Sequence, residues 1–278
     1  MNFDAFVKDI TDNKWNVFGT EVYVNSELKH SFGDTTGLHE IFSATKTVLS
    51  VAVGIVYDEG LIDLDRPITD YLSEGSDKFS SITLRRLLTM SVQGFPFIAE
   101  GDNFLDFSLA CDIKPDEIGF NYSNISAYLV GVCLTKAIGS DLGEFIEQRI
   151  FKPLNITSFE YGRSPEGYFY GASRMKLSVH DLSKFGILLM NKGVYNGTRI
   201  LSEKYVDMAT SKQMNNREGG YGFFIWMYRD GFSINGKLKQ KCYVLPKQGV
   251  IVTYLSYIED DSHDLLDSME KNILGITD

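Results

Sequence analysis

Strand-type sequence lies only at the two ends of this chain, and that placement limits how the chain can fold. Val17 to Val24 and Leu28 to Phe32 are rich in β-branched and aromatic residues, with Asn25-Ser26-Glu27 between them as a turn. The same signal returns at Tyr221 to Tyr228. It continues beyond the Asp230-Gly231 turn signal with Cys242 to Leu245 and Val250 to Tyr257, which flank a Pro246 to Gly249 turn. Between these ends, Ser43 to Tyr57, Thr83 to Met90, Ser126 to Ile138, Leu142 to Phe151 and Val179 to Met190 carry helical periodicity. Antiparallel strands with short connections pair with their neighbours. The simplest assembly is therefore one sheet joining the two chain ends, interrupted by a helical middle. A helix with apolar Phe3, Phe6, Val7 and Ile10, and another with Leu265, Leu266, Met269, Ile273 and Leu274 closed by Gly275, are placed to cover that sheet.

A length of 278 residues suits one large domain or two interleaved ones, and 44% hydrophobic against 23% charged residues is globular composition. The net charge of −10 repels nucleic acid and anionic membranes, so neither is an expected partner. Cys111, Cys133 and Cys242 are odd in number and far apart, which supplies neither a disulfide framework nor a zinc site. His30, His39, His180 and His263 show no metal-ligand spacing, and no metal is expected. The first residues are acidic where a signal peptide is basic, and no run approaches the roughly 18 apolar residues of a membrane span, so a cytoplasmic location is expected.

Two catalytic patterns fail on their context. Gly231 to Lys237 fits the spacing of a phosphate-binding loop, but Leu238 stands where Ser or Thr would meet magnesium, and strand-like sequence follows instead of a helix. The GxSxG nucleophile elbow is absent from the sequence.

Ser43-Ala44-Thr45-Lys46 opens a strongly apolar helical run, which puts Ser43 and Lys46 one turn apart on one helix face. Serine becomes a strong nucleophile only when a base takes its proton. A lysine desolvated against an apolar helix, near the helix N-terminus, has its pKa lowered toward that task. The same SxxK spacing recurs at Ser26/Lys29, Ser173/Lys176 and Ser268/Lys271, where a hairpin, a loop and an exposed helix face are sufficient explanations. Tyr122-Ser123-Asn124 precedes another helix and offers a phenol and an amide at its entrance. Taken by themselves, Tyr122 reads as a packing aromatic and Asn124 as a helix cap.

SxxK at Ser43 to Lys46 and YxN at Tyr122 to Asn124 together resemble the serine β-lactamase and penicillin-binding protein superfamily, especially its class C β-lactamase, DD-peptidase and esterase branch. FSATKTVLSVAVGIVYDEGLIDLDRPITDYL, FNYSNISAYLVGVCLTKAIG and KLSVHDLSKFGILLMNKGVYNG are similar to successive segments of that family, and the similarity runs from about Glu40 to Tyr257. The resemblance implies an α/β (α+β) fold of the β-lactamase/transpeptidase type. Its mainly five-stranded antiparallel sheet would be flanked by terminal helices and come from residues 1–60 and 174–278. An inserted all-helical domain would span residues 61–173, with the active site between the two.

The resemblance further implies that Ser43 is the acylated nucleophile, Lys46 its base partner, Tyr122 a second proton relay and Asn124 a ligand for the substrate amide. The family's third motif aligns best with Ile234-Asn235-Gly236. Asn235 and Gly236 then border the substrate, and the Lys237 and Ser43 N–H groups form an oxyanion hole. Ile234 departs from the pattern, standing where relatives carry a cation or imidazole, and Lys239 stands where many have a second glycine. Lys237, Lys239 and Lys241 by themselves read as a solvated strand edge. The implied activity is metal-independent, cofactor-free serine hydrolysis through an acyl-enzyme. A small-molecule or peptide substrate is expected: a β-lactam, a D-amino-acid peptide or a small ester. The alternative is a penicillin-binding-type protein that binds ligand without turnover.

Overall fold

The computed structural model describes residues 1–74 and 77–276. Helix α1 (Phe3–Asp12) leads into strands β1 (Val17–Val24) and β2 (Glu27–Gly33). Strands β3 (Trp226–Tyr228), β4 (Gly231–Gly236), β5 (Gln240–Leu245) and β6 (Val250–Ser256) come from the other end of the chain. All six form one antiparallel sheet in the order β2-β1-β6-β5-β4-β3. The two chain ends meet where β1 pairs with β6, Val22 lying opposite Val252.

Pleating sorts the side chains of the sheet between two cores. Val22, Tyr243, Val252 and Tyr254 pack under α1 and the C-terminal helix Asp264–Met269, against Phe6, Ile10, Leu265 and Met269. Tyr23, Ile234, Cys242, Ile251 and Leu255 face the larger core. That core holds helices α2 (Thr45–Asp58), α3 (Asn124–Ile138) and α4 (Val179–Met190). Gly186 lets α4 lie close on the sheet, because a Cβ there would stand 2.8 Å from the Cys242 sulfur.

The sheet has six strands where mainly five were expected. The expected strand over Tyr221 to Tyr228 forms only at its last three residues. Phe223 and Phe224 donate their N–H groups to the Ala209 and Leu88 carbonyls, each at 3.0 Å, so they bond to the helical part of the chain and not to a neighbouring strand. Gly231–Gly236 is a strand, which removes the phosphate-loop pattern from consideration.

A small three-stranded sheet positions the approach to Ser43. His39–Glu40 pairs with Met175–Leu177, which also pairs with Glu160–Tyr161. The Ile41 N–H extends this pairing to the Met175 carbonyl at 2.9 Å. No single helix among the described residues is long and apolar enough to cross a membrane.

Candidate active site

Phe42 takes a left-handed φ of 48°, a strained conformation for a bulky residue, and so turns the chain sharply out of the small sheet. A 3₁₀ turn, Phe42–Ala44, then passes directly into α2. Ser43 therefore lies in this tighter turn and not in the α-helix expected from the sequence. Lys46 is still one turn away, with its Nζ 3.1 Å from the Ser43 Oγ.

Every residue from Thr45 to Val56 is buried, so Lys46 is held in an apolar setting at 1% exposure. This burial pushes its pKa down to about 7, because the charged form loses its hydration. Besides Ser43, the amine meets the Asn124 Oδ1 and the Ala172 carbonyl oxygen, each at 2.7 Å. The protonated amine has three N–H donors for these three acceptors. The neutral amine has two donors and one lone pair. Asn124 Oδ1 and the Ala172 carbonyl can only accept, so they take both protons and the lone pair is left facing the Ser43 hydroxyl. The geometry thus orients neutral Lys46 as a proton acceptor for Ser43.

Tyr122 and Asn124 converge on the same point. Ser123 is the true N-cap of α3, its Oγ accepting from the Ile125 N–H at 3.1 Å, so Asn124 does not serve as the cap and its amide is available to Lys46. The turn before α3 is fastened to its neighbours: Asn124 N–H donates to the Phe97 carbonyl at 2.7 Å and Ser123 Oγ to the Pro96 carbonyl at 2.6 Å. Tyr122 packs among Phe97, Phe120, Tyr221 and Trp226, with the Lys46 amine 5.0 Å from its ring centre. Burial raises the Tyr122 pKa to about 12, opposed by a hydrogen bond with Ser43. At neutral pH it is a phenol.

Strand β4 runs beside the turn that carries Ser43. A Cβ on Gly236 would stand well inside contact distance of the Ile41 carbonyl oxygen, so only glycine allows this approach. β3 covers β4 from Gly231 to Ser233, leaving Ile234, Asn235 and Gly236 without a partner strand on that side. Ile234 is fully buried in the core shared with Ile41 and Ala44. Asn235 points to the opposite face, where its Oδ1 is buried without a partner among the described residues. Lys237 is exposed at the start of the turn Lys237–Lys239. Lys239 and Lys241 do not form the solvated edge expected from the sequence. Lys239 donates to Asp260 Oδ1 and the Ser262 carbonyl, each at 2.8 Å, and Lys241 is partly buried on β5.

The Beta-lactamase family model matches residues 28–269, a span containing every one of these groups. The chain belongs to the Beta-lactamase family. It carries the hydrolase fold of that family, and solved structures share it. A β-lactamase/D-alanine carboxypeptidase from Pseudomonas syringae superposes with a TM-score of 0.79 at 14% identity, covering 99% of this chain and 98% of the other. A D-stereospecific amidohydrolase from Streptomyces sp. gives 0.75 at 18% identity, covering 100% of each chain. In sequence, an uncharacterized protein of Alkalihalophilus pseudofirmus is 26% identical over an alignment of 222 residues that covers 72% of this chain and 63% of that protein.

Sequence reasoning missed three contributors to this Beta-lactamase-family site. Ala172 offers only a backbone carbonyl, which no side-chain motif can signal. Gly171 before it, at φ 66°, was the available hint of a loop pressed against α2. Phe97 and Trp226 come from distant segments and meet Tyr122 only in the fold.

Proposed function

We propose that this Beta-lactamase-family chain is a serine hydrolase that cleaves an amide or ester carbonyl through an acyl-enzyme on Ser43. The observation that carries this reading is the orientation of Lys46, whose two obligate acceptors leave its lone pair on the Ser43 hydroxyl. Ser43 Oγ attacks the carbonyl carbon as its proton passes to Lys46, and the carbonyl electron pair moves onto oxygen. The N–H groups of Ser43 and Lys237 receive that oxyanion. The tetrahedral intermediate collapses, the carbon–heteroatom bond breaks, and the leaving group takes a proton through Tyr122, which Lys46 resupplies. Water then repeats the sequence on the acyl-enzyme and releases the acid.

The raised pKa of Tyr122 and the lowered pKa of Lys46 divide these roles. A phenol at about 12 is suited to proton donation and relay, and an amine at about 7 to accepting the serine proton. Asn124, fixed by Lys46, is placed to meet the substrate amide. The fold neighbours, a D-stereospecific amidohydrolase and a β-lactamase/D-alanine carboxypeptidase, support β-lactams and D-amino-acid peptides as substrates to try first, beside small esters.

One observation favours a second reading. Ile234 is buried where relatives carry a cation, so β4 brings no charge to the Lys46–Tyr122 network, as suits a protein that binds ligand without turnover. Hydrolysis of a short-chain p-nitrophenyl ester separates the two. The hydrolase reading expects turnover that Ser43→Ala abolishes and that Tyr122→Phe lowers in kcat by roughly 10²- to 10⁴-fold. Ligand-induced stabilisation with no turnover would favour the binding protein.

A further inference from the structure

The turn that joins β4 to β5, Lys237–Lys239, holds two consecutive residues in the left-handed region, Leu238 at φ 60° and Lys239 at φ 62°, and neither is glycine. Such a conformation persists only where the surroundings enforce it. Two sets of bonds do so here. From β6, the Ser256 Oγ donates to the Leu238 carbonyl at 2.8 Å, and the Ser256 N–H donates to Gln240 Oε1 at 3.0 Å. From beyond β6, Asp260 and Ser262 hold the Lys239 side chain.

The Lys239 ammonium has three N–H donors and meets three acceptors. These are Asp260 Oδ1 and the Ser262 carbonyl, each at 2.8 Å, and Ser262 Oγ at 3.2 Å. Ser262 in turn donates its N–H and its hydroxyl to the same Asp260 oxygen, at 3.0 and 2.6 Å, so the acceptors are fixed relative to one another. These bonds, the one to Lys239 foremost, lower the Asp260 pKa to about 2, and it is a carboxylate at neutral pH. The segment is anchored on both sides, by buried Ile258 before it and by buried Leu265 of the C-terminal helix after it. The Lys239 side chain is 16% exposed, unlike that of a freely solvated surface lysine.

The turn begins at Lys237, whose N–H the hydrolase reading gives to the oxyanion, and β3 does not cover this end of β4. An oxyanion donor is effective only when its direction is fixed before reaction. Resting on the serine-hydrolase reading, we propose that Lys239 is a positioning residue, whose bonds to Asp260 and Ser262 hold the turn so that the Lys237 N–H stays aimed at the reacting carbonyl. A glycine at this place would adopt a φ near 60° without strain and need no tether. With lysine there, the tether replaces that conformational freedom.

The test measures turnover of p-nitrophenyl acetate and the affinity for phenylboronic acid, which adds to a reactive serine as a tetrahedral anion and requires no turnover. Lys239→Met, which keeps the strain and loses the tether, should lower kcat by roughly ten- to a hundredfold with KM little changed, and weaken boronate binding by roughly tenfold. Lys239→Gly, which relieves the strain, and Lys239→Arg, which can still bond Asp260, should each recover most of the loss. Asp260→Ala should match Lys239→Met, and the double variant should be no worse than either, since both remove the same contact. A merely stabilising role would lower the melting temperature and leave kcat and boronate affinity alone, and a role for the lysine charge itself would make Lys239→Gly as poor as Lys239→Met. Either result, with the wild type active, overturns the positioning role and leaves the hydrolase standing. If the wild type cleaves no ester, the hydrolase reading is contradicted and boronate binding decides. Affinity weakened by Lys239→Met then supports the positioning role, and affinity unchanged or absent overturns it.

Discussion

Gly236 and Ile41 meet backbone to backbone, with no room for a side chain between the end of β4 and the residue that leads into the Ser43 turn. Gly236→Ala must therefore push β4 away from Ser43 or distort the turn. Overpacking of this kind costs about 1–3 kcal/mol of stability. Displacing a reacting group by about 1 Å can cost on the order of a hundredfold in rate. Ester turnover should fall by at least tenfold while far-UV circular dichroism stays unchanged; full activity in Gly236→Ala would show that the two segments are not held in register for catalysis.

Lys46 is expected to set the acid side of the pH profile. Its neutral form is the proposed base and burial lowers its pKa to about 7, so kcat/KM should fall about tenfold per pH unit below that value and level off above it. Lys46→Arg, which cannot deprotonate, should be inactive at every pH. The shift also predicts how stability changes. Between about 7 and the ordinary lysine value the unfolded chain binds the extra proton, so stability rises with pH over that interval. A rate profile flat through neutral pH would remove Lys46 as the base.

His180 carries a pH dependence of the opposite sign. Its Nδ1 lies 3.2 Å from Glu21 Oε1 and 3.1 Å from the Tyr23 hydroxyl, and the bond to Glu21 raises its pKa. A raised histidine contributes stability that is fully present below its ordinary pKa and is lost as pH rises through the folded value. His180 is 44% exposed, so solvent screens the effect. The melting temperature of wild type should exceed that of His180→Gln in acid, and the gap should close in alkali. A gap constant with pH would mean that packing, not charge, is responsible.

Glu166 ties the helical section together. Its carboxylate accepts from the Phe104 and Leu105 N–H groups, at 3.2 and 3.0 Å, and from the Tyr128 hydroxyl on α3. Glu166→Ala leaves these donors unpaired, and urea unfolding should show a loss of about 1–3 kcal/mol. Glu166→Gln, which can still accept, should recover part of it.

Much of this arrangement was legible in the residues. The apolar stretch after Ser43 reads as a buried helix, and a buried helix holds Lys46 in a dry environment. The chain-end strands announced themselves by β-branched residues and turn signals. What escaped the sequence depends on long-range backbone pairing. Phe223 and Phe224 look like strand residues but satisfy their N–H groups on helical segments. Ala172 contributes a carbonyl that any residue would offer. Lys239 looks like an edge lysine because Asp260 and Ser262, which accept its hydrogen bonds, lie beyond β6.

The proposed chemistry depends on a covalent bond to Ser43, and intact-protein mass spectrometry detects that bond directly. After exposure to a fluorescent penicillin, and in parallel to a p-nitrophenyl ester, the wild-type chain should gain the mass of the acyl group and Ser43→Ala should not. An adduct of equal yield in Ser43→Ala, or ester turnover that survives this substitution, would contradict Ser43 as the nucleophile.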